Sequence, residues 1–383
     1  MRLDIVTPDW PAWSDGGVAT LSRVLARGLF ERGAGVRVIT RGGGPRARAL
    51  KQERKANECP WTVVGVPGRS WRNKGHRHWL RGLPALVEAA RPDALVATTW
   101  EPVPALLARD PQADSPPIAV LAHGRDITGQ ATPARDQQRE QVLRAPVLWL
   151  VMTHWMREEL LQRGVAPHRI HSIPAAIEDP ADSGEDTVEG LLDSSSGAPI
   201  RMLTVGRLVR RKGHDVTLRA LALLADRCPA LLYEVVGDGP DRARLERLAL
   251  ELGISERVRF RGYVPTSALD RAYRAADLFV MVPRQEGGDT EGYGLVYLEA
   301  GARGLPVIGS RSAGAAEAVK PGVTGLRVDD PTSPSSVASV LDQLVQDSAL
   351  RFRLGEGGRQ RFEQGGRAHH LGSSVLSALQ AVS

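Results

Sequence analysis

Short apolar runs and longer amphipathic stretches alternate along almost the whole chain, and the alternation occurs twice, once in each half. Short runs rich in β-branched residues indicate buried strands, whereas longer amphipathic stretches indicate helices. Strands that alternate with helices favour a parallel sheet with helices on both faces. The sequence therefore predicts an α/β protein of two doubly wound, Rossmann-like domains facing a cleft, since such sheets bind ligands beyond the carboxyl ends of their strands.

The predicted elements of the first half are the following. Strands are predicted at Leu3–Thr7, Val36–Thr40, Trp61–Val66, Ala94–Ala97, Ile118–Ala122, Val147–Val151 and Ile170–Ile173. Helices are predicted at Val18–Arg32, His78–Ala90, Val103–Arg109 and Trp155–Arg163. In the second half, strands are predicted at Arg201–Val205, Leu232–Val236, Val258–Phe260, Leu278–Val282 and Pro306–Ile308. Helices are predicted there at Gly213–Asp226, Asp241–Leu252, Thr266–Ala275, Gly294–Arg303 and Ser335–Gln346.

An acidic segment rich in Ser and Gly separates the two halves and is typical of a linker. We expect an N-terminal domain over residues 1–178, a linker over 179–199 and a C-terminal domain over 200–364. A helix at about 365–383 is expected to pack back on the N-terminal domain. Two domains also suit a length of 383 residues, because single cores stop growing near roughly 250 to 300 residues.

The composition, with 42% apolar and 25% charged residues, is that of a globular protein and excludes disordered and fibrous classes. No stretch approaches the roughly 18 apolar residues of a membrane helix, and Asp4 stands where a signal peptide would be apolar. We therefore expect a cytoplasmic protein. Cys59 and Cys228 lie in different predicted domains and provide neither a disulfide framework nor a Cys-rich metal site.

The net charge of +6 is unevenly distributed, because Arg41–Arg81 holds eleven Arg and Lys residues against two Glu. This basic segment also contains Trp61, Trp71 and Trp79. Such a mixture can bind an anionic lipid surface, a phosphorylated substrate or nucleic acid, and a solvated loop explains it equally well. Peripheral contact with the inner face of a membrane stays open, whereas no nucleic acid is expected, because two complete domains exceed what such a module requires.

Cofactor motifs are missing from the sequence. Gly237 and Gly239 begin a glycine-rich turn, but Arg242 stands where a dinucleotide fingerprint needs its third small residue. The motif GRLVRRKG lacks the glycine pair of a Walker A loop, and there is no HExxH or G-x-S-x-G motif. We therefore expect no cofactor and no metal ion.

A group of cations follows one predicted strand of the second half. The turn Gly206–Gly213 contains Arg207, Arg210, Arg211 and Lys212 and leads into a helix. Guanidinium groups bind phosphate bidentately, an ammonium adds a point charge, and a helix N-terminus adds partial positive charge. The turn is a candidate phosphate site, with a solvent-facing basic turn as the alternative.

The segment Glu286–Glu299 follows another predicted strand and is rich in glycine, so backbone amides can approach a ligand closely. Glu291 and Glu299 are eight residues apart, which is about 12 Å along a helix. Two carboxylates at this spacing can accept hydrogen bonds from different hydroxyls of one elongated ligand. The pattern fits a nucleoside diphosphate sugar, although the spacing by itself arises easily by chance.

Two features of the first half also follow predicted strands. Gly16 and Gly17 precede a helix, whose first amides can hold an anion, although a plain tight turn explains them nearly as well. His123 directly follows the run Ile118–Ala122. A lone His is more often structural than catalytic, but a position at the end of a strand favours a functional role.

Together these motifs resemble the retaining GT-B glycosyltransferases of family 4, over nearly the whole chain and most strongly from about Arg201 to Asp330. Within that family, PRQEGGDTEGYGLVYLEA is most similar to actinobacterial phosphatidylinositol mannosyltransferases, which use GDP-mannose. The motifs that carry the resemblance are GGV at Gly16–Val18, HGRD at His123–Asp126, GRLVRRKG at Gly206–Gly213, VVGDGP at Val235–Pro240, EGYGLVYLEA at Glu291–Ala300 and GLPVIGS at Gly304–Ser310.

The resemblance implies a metal-independent hexosyltransferase with a nucleotide diphosphate sugar as donor, GDP-linked by preference and UDP-linked as the alternative. It implies that Arg207 and Lys212 contact the diphosphate, and that Glu299 binds the ribose. The remaining implied roles are Glu291 on hexose hydroxyls, Gly292, Tyr293, Gly294 and Leu295 around the phosphates and sugar, Gly16 and Gly17 completing the phosphate cradle, and His123 beside the reacting sugar. The catalytic candidates are therefore His123, Glu291, Arg207 and Lys212.

One departure from the family concerns the first half, where the common Pro-Asn-Gly is replaced by Pro174-Ala175-Ala176. The acceptor stays open between a phosphoinositide lipid and a small polar metabolite. Two other functions also stay open at this point: a nucleotide-sugar epimerase or hydrolase of the same fold, and a basic protein that binds membranes or nucleic acid.

Overall fold

The computed structural model describes residues 1–11, 16–42, 46, 48–49, 59–66, 74–108, 115–129, 131–180 and 199–382. The chain divides into two compact units. Unit 1 comprises Met1–Glu178 and Gly365–Ser383, and unit 2 comprises Asp179–Gln364. Much of the basic segment, and residues 181–198 of the expected linker, lie outside the described residues.

Unit 1 contains a seven-stranded parallel sheet in the order β3-β2-β1-β4-β5-β6-β7. Its central strands are continuous apolar runs that are buried along their length, as expected for a sheet covered on both faces. The strands are β1 Arg2–Thr7, β2 Gly35–Arg41, β3 Thr62–Val66, β4 Ala94–Ala97, β5 Ile118–Ala122, β6 Leu148–Val151 and β7 Ile170–Ser172.

The helices of unit 1 include one that the apolar pattern did not reveal. It covers Pro133–Arg144, a mostly polar sequence that buries Val142, Leu143 and Arg139. The helices are α1 Gly17–Glu31, α2 Lys74–Ala90, α3 Val103–Leu107, α4 Gly124–Thr128, α5 Pro133–Arg144, α6 His154–Gln162 and, from the C-terminal end of the chain, α14 Ala368–Gln380.

Unit 2 contains a six-stranded parallel sheet in the order β10-β9-β8-β11-β12-β13. The last strand of this order was missed, because a four-residue edge strand carries little pattern of its own. The strands are β8 Ile200–Val205, β9 Leu231–Val236, β10 Val258–Gly262, β11 Leu278–Val280, β12 Val307–Ser310 and β13 Gly325–Val328. The prediction of two doubly wound parallel sheets is confirmed.

The helices of unit 2 include α13, which sequence propensity disfavours because it contains three glycines. All three let neighbouring backbones come close: a Cβ would lie 1.9 Å from the Gly304 carbonyl oxygen at Gly355, 2.0 Å from the Val323 carbonyl oxygen at Gly357, and 2.9 Å from the Gly301 Cα at Gly358. The helices are α7 His214–Leu223, α8 Arg242–Glu251, α9 Thr266–Arg274, α10 Leu295–Ala302, α11 Ala315–Ala318, α12 Pro334–Gln346 and α13 Ser348–Arg361. Within the described ranges, no helix has both the length and the apolar character needed to cross a bilayer.

The C-terminal helix α14 packs against α1 through two glycines. A Cβ at Gly372 would lie 2.1 Å from the Gly28 carbonyl oxygen, and a Cβ at Gly28 would lie 1.9 Å from the Ala368 carbonyl oxygen. The chain enters this helix beside Ile177, whose N–H donates to the Gly366 carbonyl at 2.9 Å. The end of the chain is thus a structural part of unit 1.

We expect Gly372→Ala to lower the free energy of unfolding of unit 1 by about 1–3 kcal/mol, because the new methyl group overlaps the backbone of α1. All eight Trp residues lie in unit 1, so urea denaturation followed by tryptophan fluorescence measures this unit. The control is Gly365→Ala, where a Cβ meets no atom within 4 Å and the change should stay within about 0.5 kcal/mol. Equal stabilities for the two variants would contradict the close packing of α14 on α1.

Candidate functional site

The strand order of unit 2 reverses between β8 and β11, because the strands that follow β8 and β11 lie on opposite sides of this pair. In open α/β sheets, ligands bind beyond the carboxyl ends of strands at such a switch point. The cationic turn Gly206–Gly213 follows β8, and the glycine-rich segment Glu286–Glu299 follows β11. The fold therefore brings the two motifs of the second half to one edge of the same sheet.

Gly213 allows the cationic turn to approach the chain that follows β11. Arg210–Lys212 form one 3-10 turn, and Gly213 then adopts a left-handed conformation with φ of 76° before α7 begins. A Cβ at this position would lie 2.2 Å from the carbonyl oxygen of Val282. A residue other than glycine would strain the backbone and push the two segments apart.

The approach of these segments creates a buried ion group around Glu291. Lys212 Nζ lies 2.5 Å from Glu291 Oε2, and Arg211 Nη1 donates to the same oxygen at 2.6 Å. Arg211 Nε also lies 3.2 Å from Asp289 Oδ2. The side chains of Glu291 and Lys212 are only 12% and 10% exposed, so solvent screens their attraction weakly.

These cations keep Glu291 ionised. Burial by itself would raise the pKa of Glu291, but the charges of Lys212 and Arg211 and their hydrogen bonds outweigh burial and lower the pKa to about 2. Both cations bind Oε2, and no described residue donates a hydrogen bond to Oε1. One oxygen of a fixed carboxylate is therefore available to accept a hydrogen bond from a ligand hydroxyl.

Glu299 is held in a similar way on α10. Tyr273 Oη donates to Glu299 Oε2 at 2.7 Å, and no described residue donates to Oε1. The guanidinium of Arg303 lies 4.8 Å from the centre of the Tyr273 ring and pairs with Asp270 at 2.7 Å. Burial raises the pKa of Glu299, and the Tyr273 hydrogen bond and the charge of Arg303 oppose burial.

The other predicted residues of the cationic turn differ in their surroundings. Arg207 is exposed, and its side chain makes no ion pair or hydrogen bond with the part of the chain that the structure describes. Its backbone carbonyl accepts a hydrogen bond from His214 Nε2 at 3.4 Å. Burial lowers the pKa of His214 to about 4, so this ring is neutral at pH 7. Arg207 thus extends from a held backbone and can bind an anion.

The four residues predicted around the donor lie at the start of α10. Gly294 is its N-cap residue, with φ of 83°, and Leu295 is its first residue. Gly292 is half-buried directly before them, so their amides lie where a helix N-terminus has unpaired N–H groups. The side chain of Tyr293 is instead buried, and its Oη accepts a hydrogen bond from Arg361 at 3.1 Å.

In unit 1, the strand order reverses between β1 and β4. Gly16 and Gly17 follow β1 as the N-cap and first residue of α1, where a Cβ at Gly17 would meet no atom within 4 Å. The structure therefore leaves open space beside the first amides of α1 among the described residues.

His123 lies at the end of β5 with a fixed tautomer. Its Nε2 donates to the Thr98 carbonyl at 2.8 Å, which leaves Nδ1 as an acceptor. Burial lowers the pKa of His123, so the ring is neutral at pH 7. The His123 N–H donates to Asp126 Oδ1 at 2.9 Å, and burial together with the charge of Glu101 raises the pKa of Asp126 well above its usual range.

The sequence analysis selected Glu291, Lys212 and Glu299 as candidates and placed Arg211 in the candidate phosphate site, but it did not select Tyr273 and Arg303, which surround Glu299. Arg303 could have been found, because it stands four residues after Glu299 on the same helix face. Tyr273 could not, since it reaches Glu299 from a different helix, 26 residues away. Among the described residues, no three His, Cys, Asp or Glu side chains are grouped as metal ligands.

Two family models match the chain. The model for glycosyl transferases group 1 matches residues 194–361, and the model for a glycosyl transferase 4-like domain matches residues 16–176. The two matches correspond to most of unit 2 and most of unit 1.

Curated relatives include mannosyltransferases of two bacterial species. The chain is 30% identical to the GDP-mannose-dependent monoacylated alpha-(1-6)-phosphatidylinositol monomannoside mannosyltransferase of Corynebacterium glutamicum, over 76% of this chain and 75% of the relative. It is 39% identical to the GDP-mannose-dependent alpha-(1-6)-phosphatidylinositol monomannoside mannosyltransferase of Mycolicibacterium smegmatis, over 41% of this chain and 42% of the relative. The first curated relatives that it matches are thus covered over only about half of their length.

Solved structures with GT-B folds align with the whole chain at low sequence identity. Sucrose-phosphate synthase from Thermosynechococcus elongatus has a TM-score of 0.76 and 22% identity, with 100% of both chains covered. The Anabaena protein HepE in complex with UDP has a TM-score of 0.77 and 17% identity, again with 100% of both chains covered. These structures show the fold alone. With the family matches and the C. glutamicum relative, they show that the chain belongs to the glycosyltransferases of the GT-B fold, with a group 1 and a 4-like domain.

Proposed function

We propose that this protein is a hexosyltransferase that moves a hexosyl unit from a nucleotide diphosphate sugar to an acceptor, with retention of anomeric configuration and without a metal ion. The observation that carries the proposal is the pair of carboxylates at the switch point of unit 2. Glu291 and Glu299 are each held through Oε2, beside a turn that supplies Lys212 and Arg207. Hydroxyl-accepting groups next to phosphate-binding cations match the parts of a nucleotide sugar.

We assign the donor groups as follows. Arg207 and Lys212 bind the diphosphate, because one guanidinium and one ammonium extend from the turn after β8. Glu299 Oε1 accepts from the ribose hydroxyls and Glu291 Oε1 from the hexose hydroxyls. The amides of Gly292, Gly294 and Leu295 add hydrogen bonds at the start of α10.

We assign the predicted residues of unit 1 to the reacting groups. The neutral His123 accepts a hydrogen bond from the hexose through Nδ1, and the amides at Gly16 and Gly17 bind phosphate oxygen.

Tyr293 of unit 2 acts through its backbone, because its side chain is buried against Arg361.

The proposed reaction breaks the bond between the anomeric carbon and the diphosphate oxygen and forms a bond to the acceptor oxygen on the same face. The departing diphosphate oxygen takes the proton of the acceptor hydroxyl, so no enzymic nucleophile is required. Lys212 and Arg207 stabilise the negative charge that develops on the diphosphate, which is the task of a metal ion in other transferases.

A GDP-sugar is the favoured donor, because the named mannosyltransferase relatives are GDP-mannose-dependent, and a UDP-sugar is the alternative, because HepE has been solved with UDP. The names of the relatives also favour a phosphoinositide lipid as acceptor, with a small polar metabolite as the alternative. With a lipid acceptor, the protein would act at the cytoplasmic face of the membrane, and the basic segment would make the contact.

We expect GDP or UDP to raise the thermal stability of the protein. A nucleotide at 100 times its dissociation constant adds roughly 2.7 kcal/mol to the free energy of unfolding, which a thermal shift assay detects. Glu299→Ala should abolish most of this shift, because the ribose loses its acceptor. Glu256→Ala, which changes an exposed glutamate of the same unit, should keep the shift.

The assignment of the donor fails if neither nucleotide shifts the melting temperature and Glu299→Ala retains full activity. Turnover of GDP-mannose or UDP-glucose at the same rate with and without acceptor would contradict hexosyl transfer and favour hydrolysis or epimerisation. The anomeric configuration of the product, determined by NMR, tests retention.

The ionised state of Glu291 can be tested from the pH dependence of stability. Its pKa is about 2 in the folded protein against an ordinary value of 4.5, so the ion pairs contribute stability above about pH 4.5 that is lost as the pH falls toward 2. We expect the difference in free energy of unfolding between the wild type and Glu291→Gln to shrink below about pH 5, by at most about 1.4 kcal/mol per pH unit. Urea denaturation followed by circular dichroism measures it.

The control for this experiment is Glu256→Gln, whose difference from the wild type should stay constant over the same pH range, because Glu256 is exposed. A constant difference for Glu291→Gln as well would show that Glu291 is not held ionised by the two cations.

A further inference from the structure

Glu291 has two cationic partners, although one would neutralise its charge. Both Arg211 and Lys212 bind Oε2, at 2.6 and 2.5 Å. The ammonium of Lys212 also lies near the start of the turn that follows β8, since a Cβ at Gly206 would be 3.8 Å from Nζ. The ammonium of Lys212 therefore lies near both the carboxylate of Glu291 and Gly206, the first residue of the turn to which the proposed function assigns the diphosphate.

The two cations are held differently. Arg211 is fixed from three directions, because its side chain binds both Asp289 and Glu291 and its backbone carbonyl accepts the Arg284 N–H at 2.8 Å. Among the described residues, Lys212 forms an ion pair with Glu291 alone, and its further contact is a weak one to Met281 Sδ at 3.4 Å. An ammonium on a flexible four-carbon stem can turn to a new anion, whereas a guanidinium held at both edges cannot do so without losing two partners.

We propose that Arg211 is a positioning residue that holds Glu291 ionised through Oε2 while Lys212 moves from Glu291 to the diphosphate of the donor. The inference rests on the proposed function, since it assigns the diphosphate to Lys212. A diphosphate carries more negative charge than one carboxylate, so it competes successfully for the ammonium. Arg211 remains behind, and Glu291 keeps the orientation in which Oε1 accepts from a hydroxyl.

The surroundings of Glu291 explain why Arg211 is needed for this exchange. The charged groups near Glu291 are Lys212 and Arg211 from the turn after β8, and Asp289 from its own loop. From α10, the phenol of Tyr297 faces it, and burial and the charge of Glu291 raise the pKa of this phenol so far that it stays neutral. Without Arg211, the movement of Lys212 would leave a buried carboxylate with no cation, and burial would raise its pKa.

Carbon-13 NMR of the protein labelled at the glutamate carboxyl carbons tests this proposal, with inorganic pyrophosphate as the probe. The Glu291 signal is assigned by its loss in Glu291→Gln. In the wild type, we expect pyrophosphate to bind and Glu291 to stay ionised down to about pH 4, with and without the probe. In Arg211→Met, pyrophosphate should raise the pKa of Glu291 by about one unit or more.

Two further variants separate positioning from a general structural effect. Arg211→Lys keeps a cation at the position and should reduce the pyrophosphate-induced pKa change by at least about half. Arg219→Met removes an exposed arginine from α7 and should behave as the wild type. Near-UV circular dichroism checks that Arg211→Met retains its tertiary structure, and Arg211→Gln, which also removes the cation, replaces it if it does not.

The proposal is overturned if adding pyrophosphate leaves the pKa of Glu291 in Arg211→Met unchanged. Loss of pyrophosphate binding in Arg211→Met would also overturn it, because Arg211 would then be a direct phosphate ligand. So would a wild type that binds no pyrophosphate. Failure of the proposed function has a different signature, namely the expected NMR responses in a protein that transfers no hexose from GDP- or UDP-sugars.

Discussion

The buried ion group of Glu291, Lys212 and Arg211 is the interaction on which the site of unit 2 depends. A carboxylate that loses most of its water is stable in the charged form only if cations and hydrogen bonds replace the lost hydration. Here two cations from the turn after β8 meet one carboxylate from the loop after β11. The same contacts that keep Glu291 ionised therefore join the two loops at the switch point of the sheet.

Backbone geometry makes this ion group possible. Gly213 brings the cationic turn to within contact of Val282, and Gly294 starts α10 in a left-handed conformation directly after the loop that holds Glu291. Close backbone approach at both places sets how far the side chains of Lys212 and Arg211 must reach to meet the carboxylate of Glu291. The result is a site in which Glu291 and Arg211 are already held before any ligand binds, which reduces the reorganisation that ligand binding requires.

The carboxylates of Glu291 and Glu299 are bound in the same way, although their surroundings differ. Each is bound through Oε2, by cations at Glu291 and by the phenol of Tyr273 at Glu299, and each keeps Oε1 without a donor from the described residues. Held groups of this kind accept hydroxyls in one orientation. Asymmetric binding thus fixes the orientation of both glutamates, one on α10 and one in the loop before it.

The alternation of apolar runs determined the two parallel sheets, because a strand buried on both faces must be apolar throughout, as β4–β6 are. The positions of the motifs after β8 and β11 led the sequence analysis to propose Lys212, Glu291 and Glu299 as site residues, and the fold brings both motifs to one edge of the same sheet. The sequence pattern did not predict α13, because its glycines disfavour a helix and only packing against distant segments stabilises it. It did not predict β13 either, because a strand of four residues carries little pattern. Only the tertiary structure showed which oxygen of each carboxylate is bound and by which side chain. Tyr273 is 26 residues from Glu299 along the chain, and Arg211 is 80 residues from Glu291. A local sequence pattern cannot encode contacts over such separations.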